Sequence, residues 1–153
     1  MSSDDAELLM NTTSLIGNHF FAYGSLMCED IMRSVAGECQ QLSAATLHDY
    51  QRMAIKGESY PAITQVKGGV VNGVVYTGIS DAGLIQLDKF EGEMYQRVER
   101  KLVLDNAQQL MVFVYEIKPE YIERLDNKSW SFKHFIQHAK HTFIAEYSGF
   151  DKQ

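Results

Sequence analysis

The pattern of hydrophobic and polar positions divides the chain into short strands and a few helices. Residues 20–23 form an apolar run that predicts a buried strand, and Gly24-Ser25 ends this run with turn residues. Residues 28–36 carry acidic side chains in their first turn and are followed by Gly37, a pattern that predicts a short helix. A strand that turns directly into a helix leaves backbone N–H groups that attract anions. A simple turn is the alternative interpretation of Gly24-Ser25.

The middle of the chain favours strands that lie before a single helix. Residues 41–55 indicate one bent strand or a pair of strands, and a proline places residues 60–63 at an edge or opening of a sheet. After a break at Gly68-Gly69, residues 70–76 indicate a buried strand. Within this strand, Gly73 permits a bulge or the close approach of another backbone.

The helix that follows carries an acidic side chain on its inward face. Ser80 is the predicted N-cap of this helix. Four residues share one face at spacings i, i+3, i+4 and i+7: Leu84, Leu87, Asp88 and Glu91. Acids are rarely buried without a partner or a function, so Glu91 is a candidate for chemistry. Two structural alternatives are that Glu91 points to solvent or that it pairs with Arg97.

The last part of the chain predicts a hairpin and a closing helix. Residues 95–104 alternate between apolar and polar, Asp105-Asn106 turns the chain, and residues 110–117 return as an apolar strand. From Ser131 onward, apolar residues follow helical spacing: Phe132, Phe135, Ile136, Ala139 and Phe143. Because antiparallel pairs predominate over βαβ alternation, we predict an α+β fold with a small, mostly antiparallel, closed or nearly closed β-barrel and a few flanking helices.

Composition narrows the classes of function. The 153 residues carry a formal net charge of −6, and 45% of them are hydrophobic, as in an ordinary globular protein. We expect a polar extension over residues 1–18 and a single domain over residues 19–150. An acidic chain without a basic run does not favour nucleic acid or a membrane surface as a partner. No signal sequence is visible and two cysteines form no disulfide framework, so we expect a cytoplasmic protein. The sequence does not indicate its oligomeric state.

Three other kinds of reactive site are weaker candidates. Ser25 lacks the Gly-x-Ser-x-Gly turn of a nucleophilic serine, and the acids at 29 and 30 oppose a thiolate at Cys28. Three histidines share a helical face at a spacing that metals use: His134, His138 and His141. They lie opposite the predicted apolar face, so we interpret them as solvated side chains and predict no metal site.

Two stretches carry a resemblance to a known family. Residues 21–26 read Phe-Ala-Tyr-Gly-Ser-Leu, and residues 87–97 read Leu-Asp-Lys-Phe-Glu-Gly-Glu-Met-Tyr-Gln-Arg. In this order they resemble the γ-glutamyl cyclotransferase superfamily, and more closely its plant avirulence-induced-gene-like branch. The resemblance covers about residues 20–150, including the proline at 61, the strand around Gly73 and the closing helix.

The resemblance implies a function as well as a fold. It implies an acyltransferase that converts a γ-glutamyl amine or γ-glutamyl amino acid to 5-oxoproline and a free amine, without a metal or a cofactor. Glu91 would be the general acid and base, with Glu93 as an alternative carboxylate. Substrate would be bound by the turn Tyr23, Gly24, Ser25 and Leu26 and by Tyr95, with Arg97 as a support. A binding protein that keeps the fold without turnover is the rival hypothesis.

Overall fold

Five strands close into a barrel in the computed structural model, which describes residues 17–147. In chain order the strands are β1 (Asn18–Ala22), β2 (Gln40–Ala54), β3 (Pro61–Ile79), β4 (Tyr95–Leu104) and β5 (Gln109–Ile117). Around the barrel the order is β1-β3-β2-β4-β5, and neighbouring strands are antiparallel except for β1 and β5. The predicted closed, mostly antiparallel barrel is confirmed.

Helices pack on the outside of the barrel. They are α1 (Glu29–Ala36), α2 (Asp81–Glu91), α3 (Phe132–His134) and α4 (Lys140–Tyr147), with a π-helical turn Phe135–Ala139 and 3₁₀ turns at Ser25–Met27 and Pro119–Arg124. None of the helices within residues 17–147 is long and apolar enough to cross a membrane. Nearly all of the predicted extension, and the last three residues of the predicted domain, lie outside the described range.

β2 and β3 form one long hairpin that differs from the prediction in β3. The predicted break at Gly68-Gly69 is wrong, because β3 runs without interruption through both glycines. Gly68 has a φ of +83° and donates its N–H to the Asp49 carboxylate at 2.9 Å. Asp49 has a φ of 68°, and the register shifts between His48 and Tyr50. Both strands therefore bulge together: the pairing shifts from His48–Val70 to Tyr50–Gln65 and resumes on the other side of the glycines.

The alternation of side chains along the strands produces two cores. Phe21 and Val75 point into the barrel, whereas Phe20 and Tyr76 pack outward against the helices. A Cβ atom at Gly73 would collide with the Ala22 carbonyl oxygen and would lie 2.8 Å from the Phe21 ring. The predicted close approach at Gly73 is confirmed, and it allows β1 to lie directly on β3.

The closing helix forms, but with a different apolar face. Phe135 and Phe143 are buried at 1% and 2% exposure, whereas Ile136 is 46% exposed. The prediction that Ile136 belongs to the buried face is therefore wrong. The Lys140 N–H donates to the Phe135 carbonyl five residues earlier, as in a π turn. This wider turn breaks the 3.6-residue register on which the prediction rested.

Candidate active site

A cavity opens where the end of β1, the start of β3, the end of α2 and helix α4 meet. It contains about 510 Å³ of empty space, including the part that is open to solvent. Its lining comes from distant parts of the chain: Phe20, Phe21, Ala22, Tyr23, Gly24, Ser25, Leu26, Tyr60, Pro61, Phe90, Glu91, Tyr95, Tyr115 and Phe143. The six residues predicted from the sequence to form the site therefore all line one cavity.

The turn after β1 contributes Gly24, Ser25 and Leu26 to the lining of this cavity. The Met27 N–H donates to the Gly24 carbonyl at 3.0 Å and the Cys28 N–H donates to the Ser25 carbonyl at 3.1 Å. These bonds fix a single 3₁₀ turn, and the first N–H groups of such a turn have no acceptor within it. The Tyr76 hydroxyl donates to a carbonyl of the same turn at 2.9 Å and anchors it to β3.

Gly24 is required by its contact with the start of β3. A Cβ atom at Gly24 would lie 2.8 Å from Cδ and 3.0 Å from Cγ of Pro61. Both distances are shorter than ordinary packing allows, so a side chain here would push the turn away from β3. The glycine therefore keeps the turn and Pro61 together on one wall of the cavity.

A half-buried cation, Arg52, holds the strand end that leads into the turn. The Arg52 guanidinium donates to the Tyr23 carbonyl at 2.7 Å and to the Asn72 carbonyl at 3.2 Å. Its other face lies 5.4 Å from the ring centre of Trp130, a cation–π contact. Arg52 thus ties β1, β3 and the segment before α3 to the same point, a role that the sequence did not indicate.

Glu91 is the acidic residue of the cavity. It is the last residue of α2, and Gly92 ends the helix by donating its N–H to the Asp88 carbonyl at 3.1 Å. The Glu91 side chain is partly buried, as its position on the inward face of the helix predicted. Burial, and secondarily the charge of Asp88, raise the pKa of Glu91 from 4.5 to about 8. Such a carboxyl group can both accept and release a proton near neutral pH.

Asp88 lies next to Glu91 and has its own partners. Its Oδ1 accepts a hydrogen bond from the Tyr115 hydroxyl at 2.6 Å, and it pairs with Nε of Arg97 at 3.0 Å. Arg97 also lies over the Phe113 ring, 4.8 Å from its centre. Within the described residues, Arg97 therefore pairs with Asp88 and not with Glu91. The alternative that Glu91 forms an ion pair with Arg97 is wrong.

Two tyrosines line the cavity with their hydroxyl hydrogens directed into the protein. Tyr95 donates to the Pro61 carbonyl at 2.7 Å, and Tyr23 donates to the Tyr115 carbonyl at 2.6 Å. Burial first, and the nearby Glu91 charge second, hold the pKa of Tyr23 well above 10. Both side chains are thus neutral walls that fix neighbouring backbone, and they offer a ligand the surface of their rings.

Other candidate groups lie away from the centre of the site. Glu93 is exposed and does not line the cavity. Burial raises the pKa of the Cys28 thiol, against the opposing effect of Lys140. His134 and His138 are exposed, with ring centres 4.7 Å apart. In residues 17–147, no group of three or more His, Cys, Asp or Glu side chains is arranged to hold a metal ion.

Comparison with known proteins gives the family. The sequence profile of the family "Gamma-glutamyl cyclotransferase, AIG2-like" matches residues 20–132, which include the turn, Glu91 and Tyr95. The chain belongs to this family. The AIG2-like protein D of Arabidopsis thaliana is 36% identical over 128 residues, which cover 80% of this chain and 84% of that protein. The AIG2-like protein A of the same plant is 30% identical over 140 residues, covering 89% and 82%.

Solved structures of AIG2-like and related proteins share the fold. One solution structure of an Arabidopsis thaliana protein has a TM-score of 0.63 at 29% identity and covers 89% of this chain and 84% of its own. A protein named gamma-glutamyl cyclotransferase has a TM-score of 0.59 at 22% identity, over 66% of each chain. At this level of identity the likeness shows the fold alone. The small α+β barrel expected from the resemblance is therefore confirmed.

Proposed function

We propose that this AIG2-like protein is a cyclotransferase that converts a γ-glutamyl amine or γ-glutamyl amino acid to 5-oxoproline and a free amine. One observation carries the proposal: a carboxylic acid, Glu91, with a pKa of about 8 lines the same cavity as the turn Gly24, Ser25 and Leu26. Membership of the family supports the same reaction class.

The reaction needs only proton transfers and a folded substrate. Starting from the neutral amine, the α-amino nitrogen attacks the γ-carbonyl carbon, a C–N bond closes the five-membered ring, and the C–N bond to the leaving amine breaks. Glu91 takes the proton from the attacking nitrogen and delivers it to the leaving nitrogen, so no co-reactant is consumed. The attack is intramolecular, and holding the chain folded back removes most of the entropic barrier.

The turn after β1 supplies the second part of the proposed mechanism. The substrate carboxylate and the developing oxyanion both need hydrogen-bond donors, and the protein as a whole is acidic, with a charge of −6. The N–H groups of Gly24, Ser25 and Leu26 are local donors that suit either anion. Because Arg52 and Pro61 hold this turn in place, the donors need no reorganisation during the reaction.

The two free cysteines bear on where in the cell the protein is located. Cys28 and Cys39 are both reduced thiols in the structure. Free thiols at two sites favour a reducing compartment, and we propose the cytoplasm. Cell fractionation of the tagged protein would test this part.

The test of the proposed function is a substrate panel. Purified protein is incubated with γ-glutamyl amines and γ-glutamyl amino acids, and 5-oxoproline is measured by mass spectrometry. We expect release from at least one compound, with kcat/KM rising between pH 6 and 8 as Glu91 loses its proton. Calorimetric binding of these compounds without any release would contradict the proposal and support the binding-protein hypothesis.

A further inference from the structure

One wall of the cavity is built from aromatic rings. Phe143 lies at its centre and makes edge-to-face contacts with Tyr60 and Phe90, with ring centres 6.3 Å and 6.0 Å apart. Phe135 supports it from behind at 5.4 Å. We call Tyr60, Phe90 and Phe143 the aromatic wall. Edge-to-face packing of this kind holds each ring in a defined orientation. Phe143 is 2% exposed and holds Tyr60 and Phe90, which are half-buried and provide most of the apolar surface of the wall.

The central ring of this wall lies on the closing helix, beyond the segment that the family profile matches. The match ends at residue 132, whereas Phe143 lies on α4. The π turn Phe135–Ala139 places both Phe135 and Phe143 on the inner side of the helix. The aromatic wall thus combines two rings from the segment that the family profile matches with one ring from α4.

The cavity is lined by an acidic side chain and by no basic one. Among its lining residues, all within the described range, none is Lys, Arg or His, and Glu91 is the one Asp or Glu. The two arginines near the site are already engaged, Arg52 with backbone carbonyls and Arg97 with Asp88. A leaving-group carboxylate that is buried in this cavity would therefore lose its hydration without gaining a cation, which is strongly unfavourable.

The two ends of a γ-glutamyl conjugate differ in what they need from such a cavity. The glutamyl end carries a carboxylate and an amine, and the proposed function assigns these to the turn and to Glu91. The aromatic wall offers neither charge nor a row of donors, so it suits the other end, the amine that is released. A ring or a branched alkyl group would gain from burial against it, at about 25 cal/mol per Å² of apolar surface.

We propose that the substrate is a γ-glutamyl conjugate of an apolar amine, aryl or branched alkyl and without a carboxylate, and that Phe143 determines this specificity. The inference rests on the proposed function, because it takes the leaving group to be the part of the substrate that reaches the wall. It narrows the substrate class from any γ-glutamyl amide to those with an apolar, uncharged leaving end.

Three matched compounds test the inference. γ-Glutamyl-phenethylamine and γ-glutamyl-phenylalanine differ by one carboxylate, and γ-glutamyl-methylamine lacks the ring. We expect kcat/KM for the phenethylamine conjugate to exceed that of each other compound at least tenfold, since even one methylene in an apolar pocket is worth 10-fold or more. Equal values, or a preference for the phenylalanine conjugate, would overturn the inference.

Variants of α4 assign the preference to the aromatic wall. Phe143→Ala should reduce the phenethylamine-to-methylamine ratio of kcat/KM at least tenfold, and Phe143→Leu, a milder change if the alanine variant fails to fold, should reduce it in the same direction. Ile144→Ala is the matched control, because Ile144 is 42% exposed on the same helix, and it should keep the ratio. An unchanged ratio in a folded Phe143 variant would overturn the assignment.

Binding separates this inference from the proposed function. If no compound releases 5-oxoproline, including the small methylamine conjugate, the proposed function fails. Calorimetric titration of the same three compounds then still tests the wall, because the same tenfold order should appear in Kd. Kd values that do not follow this order would overturn the inference even when 5-oxoproline is released.

Discussion

Replacing Glu91 with Gln should stabilise the protein at alkaline pH. Burial first, and Asp88 second, raise the pKa of Glu91 from 4.5 to about 8 in the folded state. The folded protein therefore holds this proton more tightly than the unfolded chain does. As the pH rises from 4.5 toward 8, the unfolded chain releases the proton freely and the folded protein does not, so stability is lost over this window. Glutamine has no proton to lose and escapes this cost.

The size of the effect follows from the two pKa values. A rise from 4.5 to about 8 sets an upper limit of roughly 5 kcal/mol at pH 9, at about 1.36 kcal/mol per tenfold change in proton affinity. The side chain is only partly buried, and screening by solvent reduces this limit. We expect Glu91→Gln to gain about 2–4 kcal/mol over the wild type at pH 9 and less than about 1 kcal/mol at pH 5.

The assay is denaturant unfolding of both proteins at pH 5 and pH 9. The free energy of unfolding is taken from the midpoint and slope, with Glu93→Gln as a control because Glu93 is a nearby but exposed acid. The control should show no comparable gain at pH 9. A difference between wild type and Glu91→Gln that is the same at both pH values would refute the reasoning, since it would mean that the Glu91 proton is not linked to folding.

Three further predictions follow from the cavity. Asp88→Asn removes a negative charge beside Glu91 but keeps an acceptor for the Tyr115 hydroxyl, so the acidic limb of the pH profile of kcat/KM should move to lower pH; an unmoved limb would contradict the electrostatic account. Gly24→Val places carbon atoms against Pro61 and should abolish calorimetric binding of γ-glutamyl compounds, and retained affinity in a folded variant would exclude the turn as the site. Treatment with EDTA should change neither Tm nor turnover, because His134, His138 and His141 on the closing helix are exposed. A loss of either Tm or turnover would point to a bound metal.

Local patterns in the sequence were enough to predict much of the fold. The spacing of the apolar residues on α2 placed Glu91 on an inward face, and Ser80 indeed caps this helix by accepting from the Gly83 N–H at 2.9 Å. Alternation in β4 and β5 predicted the hairpin, whose register pairs Tyr95 with Ile117. These features depend on neighbours within a few residues, which is why the sequence alone predicts them.

The features that the sequence did not reveal depend on contacts between distant segments. Tyr115 on β5 reaches Asp88 on α2 across 27 positions of the chain, and no local pattern distinguishes Tyr115 from other buried strand residues. Phe143 has the spacing of an ordinary core residue, and its place in the cavity depends on a π turn that composition does not signal. Arg52 reads as a charge on a strand, and its bond to the Tyr23 carbonyl follows from the hairpin bulge and barrel closure.

The most direct test of the central claim is the rate of 5-oxoproline release by wild type, Glu91→Gln and Glu93→Gln on the substrate that the wild type converts fastest. General acid–base catalysis contributes about 10²–10⁴-fold, or roughly 2.7–5.4 kcal/mol of barrier. Because Glu91 is proposed to serve both proton transfers, turnover of Glu91→Gln should fall at least 100-fold while the variant still binds the substrate in calorimetry, and Glu93→Gln should stay close to wild type. A folded Glu91→Gln protein that releases 5-oxoproline at near the wild-type rate, with Glu93→Gln inactive, would contradict the account.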